Sequence, residues 1–263
     1  MSTVVHIEMF GDTDVGLVRQ QNEDVIAVYP ESGLMLLADG MGGEQAGEVA
    51  AALAVRAARA VLTESLESLP GSGGGKPKVP RLRRPAGLVK AVRRAIALAN
   101  KTVYEESRRH KALAGMGTTL VVGLFSGKRL YVGHMGDSRL YRYRDENLAQ
   151  LTVDHSYVQE LVDEGIMSAE EAAESEHKNI VTRALGVVEE EEVDVDHYLV
   201  RTGDIYLACS DGLTDMVKDQ AIASVIMTHG DNLQVMTRAL ISLAKEAGGH
   251  DNISVILSRV ASS

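Results

Sequence analysis

Four aspartates, Asp39, Asp137, Asp211 and Asp251, each stand at the end of an apolar run and beside a glycine or an asparagine. Carboxylates delivered from distant strands to one place repel one another unless a cation neutralises them. Hard divalent ions take oxygen ligands, and Mg²⁺ or Mn²⁺ is held by a few carboxylates and water. Two such ions side by side are a recurring device for phosphoryl hydrolysis. No histidine cluster is visible that would point to zinc, and His134, with no second histidine at its spacing, reads as structural. The polar run Arg19-Gln-Gln-Asn22-Glu23-Asp24 adds two carboxylates beside a guanidinium. An Asp-Gly pair can also be an ordinary turn. The repetition of the pattern is what points to a metal-dependent hydrolase.

The elements that must position these acids can be read from the apolar periodicity. Leu34–Ala38 is an unbroken apolar run of strand length, followed by Asp39 and the glycine-rich turn Gly40-Met41-Gly42-Gly43. Alanine-rich helix is expected over 44–66 and a second helix over 88–110. Strands are expected over 118–125 and 129–133, joined by a hairpin, and over 140–143, 203–209 and 253–257. Residues 4–28 read as strand broken at Gly11-Asp12 and at the polar run 19–24. Helix is expected near 158–162, after Ser168 with Glu171 as a capping box, and over 219–228 and 233–247, the last capped by Asp231 with Gln234. The segment 70–85, rich in glycine, proline and basic residues, reads as an insertion between helices.

Composition narrows the function classes. Of the 263 residues 45% are hydrophobic, which a folded core requires, and the net charge of −10 argues against nucleic acid or an anionic membrane as partner. One cysteine, Cys209, permits no internal disulfide and reads as a buried core thiol. No signal-peptide pattern opens the chain and no apolar stretch approaches the ~20 residues of a membrane span. A cytoplasmic protein is expected.

Eight motifs in order then carry a resemblance. They are Arg19-x-x-Asn22-Glu23-Asp24, Asp39-Gly-Met-Gly-Gly43, Gly117-Thr-Thr119, Gly136-Asp-Ser-Arg139, Asp154-His-Ser156, Thr182-Arg-Ala-Leu-Gly186, Ser210-Asp-Gly-Leu213 and Asp251-Asn-Ile-Ser-Val255. Together they resemble the type 2C metal-dependent protein serine/threonine phosphatases (PPM), bacterial branch, over nearly the whole chain. The resemblance implies an α+β fold, a four-layer α-β-β-α sandwich of two antiparallel sheets flanked by helix pairs, with residues 1–263 as a single phosphatase domain. Residues 154–186 would form a flap beside the active-site cleft.

It also implies roles. Asp39 would bridge two Mn²⁺ or Mg²⁺ ions, with Glu23 and the Gly40 carbonyl at the second ion and Asp211 and Asp251 at the first. Asp137, with Asp211, would hold a weaker third ion. Arg19 would grip the substrate phosphate, so Arg19 and Asp39 are the expected catalytic residues. A water bridging the ions would attack phosphoserine or phosphothreonine in phosphorylated proteins, a serine/threonine kinase among them. A monomer is expected. One departure stands out: eukaryotic members carry a histidine, proposed as general acid, where this chain has Met41, and a thioether cannot donate a proton. Two other readings are a catalytically silent relative that binds a phosphorylated partner, and a phosphatase specialised for one regulator.

Overall fold

The computed structural model describes residues 6–42, 46–67, 85–230 and 232–261. Its centre is the apolar run that precedes Asp39. Strand β3 (Leu34–Ala38) is buried at every position. Leu34, Leu36 and Ala38 face a core shared with helices, whereas Met35 and Leu37 face a core between two sheets. A strand covered on both faces has no reason to alternate with polar residues, which is why the run is continuous.

Strand β3 belongs to an antiparallel sheet of order β10-β7-β6-β3-β2, in which β2 is Val25–Tyr29, β6 Leu120–Ser126, β7 Arg129–Met135 and β10 Asp194–Leu199. Helices α1 (Ala46–Glu67) and α2 (Pro85–Arg109) cover its outer face, with α2 burying Leu88, Val92, Ala95, Ile96, Ala99 and Val103 at helical spacing. The second antiparallel sheet has the order β1-β12-β11-β8-β9, with β1 His6–Asp14, β8 Arg139–Arg144, β9 Asn147–Gln150, β11 Ile205–Cys209 and β12 Ile253–Ala261. Its outer face is covered by α6 (Asp219–His229) and α7 (Leu233–Glu246), after the short α5 (Asp211–Thr214). In β12, Ile253, Val255 and Leu257 point toward the helices and Ile256 and Val260 toward the inter-sheet core. The layers are therefore helix, sheet, sheet, helix, as the resemblance implies. No helix among the described residues is long and apolar enough to cross a membrane.

Several local expectations need correction. Strand β1 is not broken at Gly11-Asp12; it pairs with β12 throughout, Gly11 opposite Ile256. A side chain at Gly11 would meet Val28, Ile26 and Ile256 side chains at 3.0–3.2 Å, so the glycine permits the close approach of the two sheets. Strand β10 had no sequence signal because, at a sheet edge, it is half exposed and reads Asp-Val-Asp-His-Tyr-Leu. The short β4 (Gly40–Met41) and β5 (Gly117–Thr118) pair as a separate two-stranded ribbon. The capping box at Ser168 and Glu171 opens α4 (Ala169–Glu174), and Ser156 caps α3 (Tyr157–Asp163). Helix α7 is capped by Asn232, whose side chain accepts from Val235 N–H. Asp231, most of the 70–85 insertion and the expected helix start at Glu44 lie outside the described residues.

Candidate metal centre

Each acid is set by backbone bonds that the flanking motifs supply. Asp39 leaves β3 with its N–H donated to Thr119 Oγ1 at 3.0 Å. Its carbonyl accepts from Thr119 N–H and from Thr118 Oγ1, both at 2.8 Å. The Gly-Thr-Thr motif thus locks the Asp39 backbone from the neighbouring β-ribbon. Gly40 donates its N–H to the Glu23 carbonyl at 3.2 Å. A β-carbon at Gly40 would lie 2.2 Å from the Gly47 carbonyl oxygen and 2.6 Å from that of Glu23, so only glycine fits between them. The Glu23 carboxylate accepts from the Gly47 N–H in the first turn of α1, where a helix offers free donors.

From the other sheet, Asp211 follows β11 and opens α5, and Asp251 precedes β12. Gly212 packs so tightly that a β-carbon would come within 2.0 Å of the Asn252 carbonyl oxygen. Asn252 is the connector: its Oδ1 accepts from Glu23 N–H, while its Nδ2 donates to the Val15 and Gln21 carbonyls at 3.0 and 2.9 Å. The Arg19–Glu23 loop is thereby tied to the strand that carries Asp251. Arg19 Nη2 lies 2.7 Å from Asp251 Oδ2 at an exposed rim. Asp137 follows the left-handed Gly136 (φ +107°) and is buried; the adjacent Ser138 Oγ shares a 2.7 Å hydrogen bond with Thr119 Oγ1.

The electrostatics show that the acids lie within one another's fields. Removal from water, and then the charges of Asp24, Asp211, Asp137 and Asp251, push the Asp39 carboxyl well above the usual carboxylate range. Asp211 is raised likewise, by removal from water and then by Asp137, Asp215, Asp251 and Asp24. Asp137 is pushed up to about 6, by burial and then by Asp154. Asp211 Oδ1 is buried with no hydrogen-bond partner among the described residues. Hard oxygen donors that are crowded, short of hydrogen bonds and costly to ionise together are the donor set for a divalent cation. Five of the expected residues, Asp39, Gly40, Glu23, Asp211 and Asp251, are linked by the bonds and fields above, and Asp137 joins them through the Thr119–Ser138 bond and its field on Asp39 and Asp211. Arg19 stands at the edge.

Asp24 was not among the expected ligands, yet it lies at the heart of this group. It is 6% exposed, its carboxyl is raised to about 6 by burial, and it lies within hydrogen-bonding reach of Asp39. Its Oδ2 accepts from Ser210 Oγ at 2.9 Å, and Ser210 Oγ in turn accepts from Ser254 N–H. Its place directly after Glu23 was the available signal, but nothing in the sequence shows which of two adjacent acids turns inward. Cys209 is buried and its thiol is pushed up by burial, as a core thiol should be.

His134 is not isolated. Its ring stacks on that of His155 at 4.6 Å, and with Asp194 the three offer ligand atoms within 4.8 Å of one another. Several of these atoms are already hydrogen-bonded. His134 Nε2 donates to the Val153 carbonyl, His155 Nδ1 accepts from Gly136 N–H, and Arg183 Nη1 lies 3.1 Å from Asp194 Oδ2. A guanidinium supplies the positive charge that a metal ion would bring, so this second cluster is a hydrogen-bonded network.

The family model described as protein phosphatase 2C matches residues 16–248. The chain is 35% identical over 250 residues to a serine/threonine phosphatase, stp, of Listeria monocytogenes, covering 93% of this chain and 92% of that protein. It is 38% identical over 248 residues to the serine/threonine protein phosphatase PstP of Mycobacterium tuberculosis, and there it spans only 44% of the relative's length. Among solved structures, that of the M. tuberculosis phosphatase PstP/Ppp superposes with a TM-score of 0.84 at 36% identity, covering 98% of this chain and all of that one. The catalytic domain of PstP in complex with two manganese ions superposes at 0.81, again with 36% identity and 98% of this chain covered. With the four-layer fold and the gathered carboxylates, these likenesses show that the chain belongs to the protein phosphatase 2C family.

Proposed function

We propose that this chain is a metal-dependent protein phosphatase that hydrolyses phosphoserine and phosphothreonine in cytoplasmic phosphoproteins, a serine/threonine kinase among them, and acts as a monomer of one phosphatase domain. The observation that carries the reading is the burial of Asp39 at a site built from both sheets, which together with the charges of Asp24, Asp211, Asp137 and Asp251 raises its carboxyl well above the ordinary range. Two Mn²⁺ or Mg²⁺ ions, when bound, supply Lewis acidity toward water and phosphate oxygens. The two manganese ions in the similar PstP catalytic domain support this cofactor. Asp39 would help to hold both ions, Glu23 and the Gly40 carbonyl one of them, and Asp211 and Asp251 the other. Asp137 with Asp211 would hold a weaker third ion.

The protein's own groups then do three things. Asp39 is kept in place by three bonds to its backbone, so its carboxylate needs no reordering when charge develops. Arg19, held at the rim by Asp251, presents a planar fork suited to the phosphate oxygens. Residues 154–186 form the flap beside the cleft and contribute to substrate choice. Met41 donates no proton, so protonation of the leaving side-chain oxygen falls to another group. Hydrolysis of p-nitrophenyl phosphate in Mn²⁺, and again after EDTA, tests the proposal; undiminished turnover in chelator would refute it.

A further inference from the structure

The network of His155, Asp194 and Arg183 touches none of the expected metal ligands, yet it ends one residue before Asp137. Gly136 is held at both of its backbone groups by a single residue. Its N–H donates to His155 Nδ1 at 3.1 Å, and its carbonyl accepts from His155 N–H at 3.1 Å. The loop cannot relax by substitution at Gly136, because a β-carbon there would meet Thr119 Cγ2 at 2.6 Å and φ is +107°.

For His155 Nδ1 to accept, the ring proton must sit on Nε2. That atom lies 2.8 Å from Asp194 Oδ2, an acceptor only, so the carboxylate favours this tautomer. Arg183 Nη1 lies 3.2 Å from Nε2, a contact that on its own would favour the opposite tautomer. That alternative would set two N–H groups against each other at Gly136 and a lone pair against the carboxylate, so the shorter Asp194 bond decides. Arg183 instead satisfies Asp194 at 3.1 Å and is held in turn by the Glu192 carbonyl. The ring is buried, removal from water and the neighbouring His134 and Arg183 charges lower it to about 4, and it is neutral near pH 7.

We infer that Asp194 on edge strand β10, with Arg183, sets the tautomer of His155 and thereby the position of the Gly136–Asp137 turn, making these three positioning residues for the Asp137 metal contact. The inference rests on the assignment of Asp137 to the weak third ion.

Two measurements test it. In the metal-free protein, long-range ¹H–¹⁵N spectra of the imidazoles, with His155 assigned by its loss in His155→Asn, should show the Nε2–H form. An Nδ1–H form would overturn the clamp itself. Mn²⁺ titration followed by the electron paramagnetic resonance of the free ion should then show that Asp194→Ala and His155→Leu weaken the last, activity-linked step about tenfold, the usual scale for a residue that orients a ligand. The two tight ions should stay as in wild type. His155→Asn, whose Oδ1 takes the place of Nδ1, should restore the step. An unchanged weak step in Asp194→Ala, or equal weakening at all sites, would overturn the inference. Absence of any weak step in wild type would instead refute the Asp137 assignment, and this inference with it.

Discussion

Replacing Asp137 by Asn should stabilise the chelated protein, and the size of the effect follows from where the carboxyl sits. Asp137 is 8% exposed, and burial together with Asp154 raises it from 3.8 to about 6. Each unit of pKa is about 1.4 kcal/mol, so ionising this group in the folded, metal-free chain at pH 7 costs about 3 kcal/mol. The sign follows from proton binding. Between about pH 4 and 6 the folded state holds a proton that the unfolded state has released, so stability falls as pH rises through that window. Asparagine keeps the shape and the turn-capping capacity but carries no charge. In EDTA at pH 7, Asp137→Asn should therefore melt roughly 6–12 °C above wild type, taking about 2–4 °C per kcal/mol for a domain of this size. At pH 5 the gain should shrink to about half. Saturating Mn²⁺ should narrow the difference, because the wild-type charge then has a cation to face. Calorimetry at both pH values, with and without Mn²⁺, is the assay. A melting point equal to or below wild type at pH 7, or a gain independent of pH, would refute the reasoning and leave Asp137 as a turn residue alone.

Three further outcomes are expected. Asp39→Asn should abolish nearly all p-nitrophenyl phosphate hydrolysis, since one change weakens both ions; activity near wild type would remove Asp39 from the bridge. Arg19→Ala should raise KM for phosphopeptide while calorimetric Mn²⁺ binding stays unaltered, and unchanged KM and kcat would end its role as phosphate clamp. Away from the centre, Arg144 donates to both oxygens of Asp204, which is 1% exposed, at 2.6 Å. Arg144→Met should cost about 3 kcal/mol, the lower end for a broken buried pair because Tyr206 Oη–H and Arg201 N–H still reach the carboxylate, and urea melts will measure it.

What the sequence determined by itself was local chemistry and its repetition. Apolar runs ending in Asp39 and Asp211 could only be strands that deliver an acid to a rim, and the glycines beside them marked where backbone must come close. Those signals survive in one dimension because the period of a strand and the demands of a tight turn act over a few residues. The order of eight motifs implied the four-layer fold through the family resemblance, and the unbroken apolar runs of β3 and β11 fit strands covered on both faces. Tertiary structure alone decided three things. It turned Asp24 inward beside Asp39, because the hydroxyl that receives it, Ser210, arrives from the other sheet. It formed β10 from a polar segment, because an edge strand needs one partner and little apolar surface. And it brought His155 and Asp194 to His134, a meeting that no spacing rule could show, because the three come from a strand end, a loop and a sheet edge joined only by strand pairing across the fold.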